Sequence, residues 1–361
     1  MKNIAFLLVS RGVGGVEKRF SNLFLYLDKN PYESQTITLF VSRSQAICQT
    51  HFKNIKIIPF GTAIPKSKNT NSEFIFRYID YIGLIFKLIF QIRTSFEIVH
   101  FVTTSSLLFH KFIRGKKNIY SFVASAVPEQ ILSTKPLLQL IPNMQIDCLS
   151  KTLWSYVKSQ NILPSQSIFF APCSFIDHTK CFTKTKKRQI AFISRFEKDK
   201  GIEELLLPSI PLILSKFPHL TFQIIGSGSL EEMMRVKLNP YILHGSIFMG
   251  FLKNPELILS ETLIFLSLQK IENYPSQSLL EAMSSSCAII ATDVGETKDI
   301  VKPEFGIKIK PEIHDLCQAV EKLLLDLDNS LKMGVAASHF VRKHHRIEVF
   351  YQYLFNEIYR L

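Results

Sequence analysis

Two cations lie in a polar segment that follows a short apolar run. Arg195 and Lys200 come after residues 189–194, which predict a strand, and before a helix predicted to begin near Ile202. Two fixed positive charges at such a turn can hold a diphosphate without a metal, each charge-assisted hydrogen bond contributing about 1.5–3 kcal/mol. The alternative is a surface charge cluster in which these cations pair with the intervening acids, Glu197 and Asp199.

A second candidate segment is residues 272–299, ENYPSQSLLEAMSSSCAIIATDVGETKD. Leu279, Leu280 and Met283 recur at helical spacing, so we predict a loop followed by a helix. Residues 288–291 form an apolar run that is too short for a helix and suits a strand buried in a parallel sheet. The loop into the helix offers free N–H groups and the positive end of a helix dipole, which suit a phosphate.

Glu281 lies one turn inside this predicted helix, where its carboxylate could accept hydrogen bonds from a polyol. The alternative is structural. Ser278-x-x-Glu281 fits a capping box, which contributes about 0.5–2 kcal/mol through its cap. From this segment alone, capping and ligand binding both stay open.

A glycine-rich turn follows the strand predicted over residues 2–9. Its three glycines, Gly12, Gly14 and Gly15, allow close approach of a ligand or another backbone, and a helix from about Val16 to Leu27 follows. The spacing misses the G-x-G-x-x-G fingerprint of dinucleotide-binding proteins. Many strand-to-helix turns need glycine for geometry alone, so this turn is weak evidence for a ligand.

The chain as a whole predicts an α/β fold in two domains. Its 361 residues exceed one ordinary core, and strand-like runs alternate with helical ones. Six scattered cysteines indicate reduced thiols in a cytosolic protein. The first residues, MKNIAFLLVS, favour a β-strand over a signal peptide. We place the boundary at the basic linker KTKKR, residues 184–188, which divides the chain into domains 1–183 and 184–344.

The positive charge is concentrated in the first half. Residues 1–180 hold 21 Lys and Arg against 9 Asp and Glu, whereas residues 181–361 hold 22 against 21. A net charge of +12 against +1 suggests that the first domain faces a polyanion, either acidic lipid or nucleic acid. The alternative is that the charge only maintains solubility. Our candidates for contact with phosphate head groups lie in the run KFIRGKK: Lys111, Arg114, Lys116 and Lys117.

Residues 74–92, FIFRYIDYIGLIFKLIFQI, form the most apolar segment. Arg77, Asp80 and Lys87 make it a poor membrane-spanning helix, because a charge at the bilayer centre costs about 2.5–3.5 kcal/mol. We predict a helix buried in the core and keep a helix on a membrane surface as the alternative. His100 falls in the strand predicted over residues 97–103, where a lone histidine is more often a satisfied core residue than a catalyst.

Several segments together resemble the nucleotide-binding half of a family 4 retaining glycosyltransferase. They are ISRFEKDKGIEEL, FQIIGSGSLEE, and NYPSQSLLEAM followed by IIATDVGETKDIV. GVGGVEK and APCSFID resemble elements of the first domain of that family. The resemblance implies the GT-B architecture, in which two Rossmann-like domains with parallel sheets face each other across a cleft. It also implies that the last helix, about residues 345–361, packs back on the first domain.

The resemblance also implies roles for individual residues. Arg195 and Lys200 would bind the donor diphosphate and stabilise it as it leaves, and Glu281 would bind the ribose. His100 would lie on the acceptor side. The remaining donor-binding candidates are Gly14, Gly15, Gly226, Gly228, Asn273, Tyr274, Pro275, Ser276, Gln277 and Ser278. The chain departs from the family where Asn273 replaces a glutamate and Glu272 is displaced by one position.

The expected activity is retaining transfer of a hexose from a nucleotide sugar, UDP- or GDP-linked, to a hydroxyl group. The acceptor would be a lipid-linked or cell-surface glycan precursor, as in polysaccharide and lipopolysaccharide biosynthesis. The enzyme would be cytoplasmic or peripheral on the cytoplasmic face of the membrane. We expect no metal, no cofactor and no nucleic-acid partner.

Two rival hypotheses stay open. Asp326-Leu327-Asp328 after an apolar run suggests a metal-dependent transferase of the GT-A type, in which an Asp-x-Asp pair holds a divalent cation. The other rival is a non-catalytic membrane- or nucleic-acid-binding protein with a decayed transferase fold, motivated by the missing glutamate at Asn273.

Overall fold

The structure is a computed structural model that describes residues 2–12, 14–31, 35–64, 70–90, 96–113, 115–122, 128–272 and 274–360. The chain forms two compact units. One consists of Met1–Ser174 together with Ile347–Leu361, and the other of Phe175–Arg346. Each unit has its own parallel sheet and its own core.

The first unit has a seven-stranded sheet of order β3-β2-β1-β4-β5-β6-β7, in which every pairing is parallel. Its central strands are largely apolar because helices cover both faces of a parallel sheet. The strands are β1 (Lys2–Leu8), β2 (Gln35–Ser42), β3 (Ile55–Phe60), β4 (Phe96–Phe101), β5 (Gly115–Phe122), β6 (Met144–Cys148) and β7 (Ile168–Phe170). The helices are α1 (Gly15–Lys29), α2 (Thr70–Phe90), α3 (Pro128–Leu140) and α4 (Lys151–Ser159).

The second unit has a six-stranded sheet of order β10-β9-β8-β11-β12-β13, again with parallel pairings. The strands are β8 (Lys187–Ile193), β9 (Thr221–Ile225), β10 (Ile247–Gly250), β11 (Thr262–Ser267), β12 (Ala288–Thr292) and β13 (Gly306–Ile309). The helices are α5 (Leu207–Lys216), α6 (Glu231–Leu243), α7 (Glu256–Glu261), α8 (Gln277–Ser284), α9 (Thr297–Ile300), α10 (Ile313–Leu325) and α11 (Leu327–His344).

Both sheets reverse their strand order beside their first strand. The reversal lies between β1 and β4 in the first unit and between β8 and β11 in the second. In open α/β sheets the crevice outside the carboxyl ends at such a point is where ligands bind. The predicted fold class, two Rossmann-like domains with parallel sheets, is confirmed.

The basic segment 184–188 is not a linker, contrary to our prediction. The backbone amide of Lys184 donates to the carbonyl of Ser260, and β8 begins at Lys187. The Lys186 ammonium group donates to the carbonyl groups of Leu259 and Ser285. The segment just before it already packs in the second unit, and for this reason the units divide after Ser174 rather than after residue 183.

The last helix, α12 (Ile347–Gln352), continues into a π-helical turn, Tyr353–Tyr359, and this segment belongs to the first unit. The Tyr353 hydroxyl donates to Asp147 Oδ1 at 2.7 Å. Lys117 Nζ donates to the carbonyl groups of Ile358 and Tyr359, at 3.0 Å each. Lys117 therefore satisfies carbonyl groups at the end of this segment, contrary to our prediction that it contacts phosphate head groups.

The structure also revises the interpretation of the two most membrane-like segments. Helix α2 is not a buried core helix, because most of its large apolar side chains are exposed. In the run KFIRGKK, Lys116 pairs with Glu97 at 2.7 Å, and Arg114 lies outside the described residues. Among the helices described, none is both long and apolar enough to cross a bilayer.

Candidate active site

The candidate site lies at the carboxyl edge of the second sheet. The segments that follow β8, β9, β11 and β12 emerge there side by side because these strands are parallel neighbours. Arg195 and Lys200 follow β8, Gly226 and Gly228 follow β9, and residues 268–276 follow β11. The sheet topology thus brings together segments that are up to about 80 residues apart in the sequence.

The two cations after β8 lie in different environments. Lys200 is only 3% exposed, and its Nζ donates to Gln269 Oε1 at 2.8 Å and pairs with Asp199 Oδ2 at 2.7 Å. Arg195 is exposed, and within the described ranges its guanidinium pairs with no carboxylate. Lys200 is therefore fixed in place, whereas Arg195 presents its charge to solvent.

Burial lowers the pKa of Lys200, because the charged ammonium group loses its water shell, and the hydrogen bond and charge of Asp199 oppose this effect. The alternative of a self-paired charge cluster holds for Lys200 and Asp199 only. Glu197 instead accepts a hydrogen bond from the Ser229 hydroxyl at 2.6 Å. One cation of the predicted pair is therefore left for an anionic ligand.

Gly226 and Gly228 allow close approach of another backbone. A Cβ at Gly226 would lie 1.9 Å from the carbonyl oxygen of Ser194, and one at Gly228 would lie 2.4 Å from that of Phe196. The Phe196 amide donates to the Ser227 carbonyl at 2.9 Å. These contacts hold the segment after β9 against the segment with Arg195. Both positions therefore require glycine because a larger residue would overlap the neighbouring backbone.

The segment after β11 is joined to the neighbouring segments. The Thr292 hydroxyl, at the end of β12, donates to the Gln269 carbonyl at 2.5 Å. A Cβ at Gly295 would lie 2.5 Å from Glu272 Oε2, so this glycine leaves room for the Glu272 carboxylate. Tyr274 is half-buried and Pro275 is buried, while Asn273 lies outside the described residues.

Helix α8 is capped by Ser276 and not by Ser278. The Ser276 hydroxyl accepts from the Leu279 amide at 3.1 Å, which makes Gln277 the first helical residue. The capping-box interpretation of Ser278 and Glu281 is therefore wrong, because Glu281 lies beyond the position that such a box requires. Glu281 is 4% exposed. The Gln277 amide group donates to the Phe175 carbonyl at 3.1 Å.

In the first unit, the glycine-rich turn is held by its own neighbours. Gly14 precedes α1, and its amide donates to Glu17 Oε2 at 2.9 Å, while Ser10 donates to the other oxygen of Glu17. Gly15 is exposed and Val13 lies outside the described residues. The helix terminus where we expected a phosphate is thus already capped by a carboxylate, a partner that the glycine spacing did not indicate.

His100 is a structural residue, which corrects its assignment to the acceptor side. It is 0% exposed, with Nδ1 2.7 Å from the Tyr359 hydroxyl and Nε2 2.8 Å from the Ser121 hydroxyl. Burial, and secondarily the charge of Arg19, lower its pKa from 6.5 to about 3. A neutral imidazole with both nitrogens bonded to hydroxyl groups inside the core is suited to a structural role.

The Asp-x-Asp sequence has a structural role as well. Asp326 lies between α10 and α11, and its Oδ1 accepts from the Asn329 amide at 3.1 Å. This aspartate is the N-cap of α11. The role of Asp326 is therefore helix capping, which argues against the hypothesis of a GT-A-type metal site at this sequence.

The site that emerges is centred on Arg195 and Lys200, with Gln269 and Glu272 added to the predicted set. Both added residues lie within five positions of the end of the buried strand β11, and this position is the signal from which they could have been found. Gly14, Gly15 and His100 lie in the other unit. The arrangement in the second unit is suited to binding an anion with exposed oxygen atoms beside the turn after β8.

The second unit matches a known family. Residues 176–340 match the family model described as Glycosyl transferases group 1. This range covers nearly all of the second unit and includes each candidate residue after β8, β9 and β11.

Two curated relatives cover more of the chain. One human phosphatidylinositol N-acetylglucosaminyltransferase subunit is 26% identical over 232 residues, which are 61% of this chain and 47% of that protein. The phosphatidylinositol N-acetylglucosaminyltransferase gpi3 subunit of Schizosaccharomyces pombe is 25% identical over 261 residues, 67% of this chain and 56% of that protein. The chain thus spans about half the length of these relatives.

A solved structure matches over the whole length. The crystal structure of Anabaena Alr3699/HepE in complex with UDP-glucose has a TM-score of 0.78 with 13% identity and covers 100% of both chains. At this identity the likeness establishes the fold, which is the GT-B fold of glycosyltransferases. The chain therefore has a GT-B fold, and nearly all of its second unit matches the family model of group 1 glycosyl transferases.

Proposed function

We propose that the protein is a retaining glycosyltransferase that moves a sugar from a nucleotide-sugar donor to a hydroxyl group of an acceptor. The observation that supports this most is the exposed Arg195 beside the buried Lys200, at the strand reversal of a group 1 glycosyltransferase domain. A cation that faces solvent at this position is suited to the diphosphate of the donor.

The chemistry that these residues would perform is stabilisation of the leaving group. When the bond between C1 of the sugar and the diphosphate oxygen breaks, negative charge develops on that oxygen and the sugar becomes oxocarbenium-like. Arg195 would stabilise the developing charge directly, and Lys200, fixed by Gln269 and Asp199, would add a second positive charge nearby. The acceptor oxygen bonds to C1 on the same face, and its proton leaves with the diphosphate.

The remaining donor contacts are assigned by position. Glu281 would bind the ribose, and the segment of Tyr274 to Ser278 would contact the sugar or its phosphates. Ser276, as the N-cap of α8, and the buried Glu281 both lie near the start of this helix. Glu272 is a further candidate for sugar contact because its carboxylate approaches Gly295 in the segment after β12.

For donor and acceptor we propose a UDP-sugar and a lipid-linked or cell-surface glycan. The names of both relatives contain phosphatidylinositol, a lipid, and N-acetylglucosamine, and the Anabaena protein was crystallised with UDP-glucose. These names support the proposal by analogy. The enzyme would then work at the cytoplasmic face of a membrane.

The test is turnover. The full chain is incubated with UDP-glucose, UDP-N-acetylglucosamine or GDP-mannose and a lipid extract, and nucleoside diphosphate release is measured with and without EDTA. We expect release of nucleoside diphosphate that depends on the acceptor and that EDTA leaves unchanged. We also expect the anomeric carbon of the transferred sugar to have the same configuration in the product as in the donor. Nucleotide binding without turnover of any donor would instead favour a non-catalytic protein with a transferase fold. Loss of activity in EDTA would favour a metal-dependent transferase.

A further inference from the structure

Helix α2 exposes a large apolar surface. Eight of its apolar side chains, all Phe, Ile or Tyr, are between 38% and 81% exposed: Phe74, Ile75, Tyr78, Ile79, Ile82, Phe86, Ile89 and Phe90. We call this set the α2 face. Scattered exposed apolar residues are ordinary on a protein surface, but a contiguous group of this size marks an interaction site.

The α2 face is continuous along the helix. At about 100° per residue, its eight positions fall within an arc of about 160°. The 21 residues of α2 give a length of about 31 Å at 1.5 Å per residue. The exposed side chains therefore form a continuous apolar strip over residues 74–90 of the helix.

The two acidic residues of α2 point away from this strip. Glu73 and Asp80 are both buried, and both pair with Arg11, at 3.1 Å and 2.8 Å. Asp80 also accepts from the Thr62 amide at 2.7 Å. The negative charges of the helix are thus neutralised inside the unit.

The two cations of α2 point outward. Arg77 and Lys87 are both exposed, and at about 100° per residue each lies about 60° beyond one edge of the α2 face. On the opposite side of the helix from the strip, Leu84 and Leu88 are buried in the core, so the helix is firmly anchored to the sheet. The surface that α2 offers is thus an apolar strip with one cation beyond each of its edges.

We propose that α2 docks the protein on an anionic lipid bilayer. The α2 face would enter the boundary between head groups and acyl chains, with the helix axis in the membrane plane, and Arg77 and Lys87 would contact lipid phosphates. Tyr side chains suit this boundary because their rings are amphipathic, and Phe side chains suit it because their rings are apolar, flat and rigid.

Charge complementarity favours a bilayer over a second copy of the chain. A symmetric dimer through the α2 face would bring two sets of the same cations together, in a half-chain that already has a net charge of +12. An anionic surface instead offers the opposite charge to the two cations that flank the strip and to the basic first half of the chain.

The proposal rests on the proposed function only in placing a lipid-linked acceptor at that surface. Docking through α2 would hold the first unit beside a membrane that contains such an acceptor. The binding itself needs no sugar nucleotide, so it can be measured independently of turnover.

The experiment is co-sedimentation of the full chain with vesicles of phosphatidylcholine, with or without phosphatidylglycerol, at low and high salt. The wild type should bind the anionic vesicles at low salt. The double variant Ile82→Ser/Phe86→Ser should bind them about tenfold more weakly or worse, because two apolar side chains no longer enter the bilayer. The double variant Arg77→Gln/Lys87→Gln should discriminate less between anionic and neutral vesicles.

The matched control is Val236→Ser/Leu243→Ser, which removes two exposed apolar side chains from α6 in the second unit. It should bind vesicles as the wild type does. If Ile82→Ser/Phe86→Ser melts below the wild type, the pair Phe74→Ser/Phe90→Ser at the two ends of the strip replaces it.

Three results would overturn the proposal: no binding of the wild type to anionic vesicles, equal binding of the α2-face variants and the wild type, or equal loss of binding in the control. If the α2-face variants dissociate a dimer and leave vesicle binding unchanged, the face is a protein interface. Vesicle binding without sugar transfer would reject the proposed function alone, and transfer without vesicle binding would reject α2 docking alone.

Discussion

An arginine follows the first strand of each sheet, and the two units use it in opposite ways. Arg11, after β1, is 8% exposed and pairs with Glu73 and Asp80, and it also donates to Thr62 and to the Ile64 carbonyl. Arg195, after β8, is exposed and has no carboxylate partner within the described ranges. The two sheets have the same reversal of strand order at these points.

The sheet topology thus determines where a ligand site can lie. The neighbouring side chains determine whether the cation at that position is paired within the protein or is left for a ligand. In the first unit, Glu17 caps the turn and two acids neutralise Arg11, so the carboxyl end of β1 is satisfied internally. In the second unit, the charge of Arg195 is left for a ligand. Removal of a structural cation should lower the stability of the protein, whereas removal of a ligand-binding cation should lower its activity.

Removal of the structural arginine should have the greatest effect, and on stability. Arg11→Ala leaves two buried carboxylates without their common partner, so we expect the free energy of unfolding to fall by about 3–5 kcal/mol. Chemical denaturation measures this. Arg43→Ala, which removes an exposed arginine near the same edge of the sheet, is the control and should cost about 1 kcal/mol or less. An equally small loss for Arg11→Ala would contradict the structural role.

Removal of Arg195 should affect turnover and leave stability almost unchanged. Arg195→Ala should lower kcat about 10²- to 10³-fold, because one donor that stabilises the leaving group is lost. Its melting temperature should stay near that of the wild type because the side chain is exposed. Steady-state kinetics with a saturating donor measures the effect. Near-normal turnover would reject the assignment.

Variants of Glu281 and Ser276 distinguish donor binding from helix capping at the start of α8. Glu281→Gln should raise the donor KM about tenfold, since it loses the charge of a hydrogen-bond acceptor for the ribose. Ser276→Ala should lower stability by about 0.5–2 kcal/mol because the Leu279 amide loses its cap. Both KM and the melting temperature are measured for each variant. A Glu281→Gln variant with an unchanged KM would exclude the ribose contact.

The effect of pH, which acts on the first unit, should be small near neutral pH and should grow only as the solution is acidified. His100 has a pKa of about 3 in the folded chain against 6.5 unfolded. Below pH 6.5 the unfolded state takes up a proton that the folded state excludes, so stability falls by about 1.4 kcal/mol per pH unit as the pH drops towards 3. This contribution is fully present above pH 6.5.

His100→Gln should flatten the acid side of the stability curve, measured by denaturation at several pH values. His219→Gln, which removes an exposed histidine in the second unit, should leave the slope unchanged. An unchanged slope in His100→Gln would mean that the buried imidazole does not resist protonation.

Local patterns predicted the elements with strong local signals. The strand predicted over residues 2–9 is β1 (Lys2–Leu8), and the helix predicted from about Val16 to Leu27 is α1 (Gly15–Lys29). Residues 288–291 were recognised as a buried strand because both faces of a parallel strand are covered and apolar residues run without alternation.

Roles that depend on distant partners could not be predicted. Arg11 meets its two acids 62 and 69 positions away, and Lys117 meets the carbonyl groups it satisfies 241 and 242 positions away. Without these partners, Asp80 looked like an interruption of an apolar helix and Lys117 like a contact for phosphate head groups. The same limit explains α2, since its composition cannot tell which of its faces the sheet covers.

The proposed function depends most on Arg195, which should bind the diphosphate of a nucleotide at the carboxyl edge of the second sheet. The Kd for UDP tests this, measured by isothermal titration calorimetry for the wild type, Arg195→Ala and Lys198→Ala. Lys198 is an exposed cation of the same turn and serves as the matched control. Loss of one charge-assisted hydrogen bond should weaken binding about 10- to 100-fold in Arg195→Ala. Lys198→Ala should bind UDP as the wild type does. Unchanged affinity in Arg195→Ala, or equal losses in both variants, would contradict this role of Arg195.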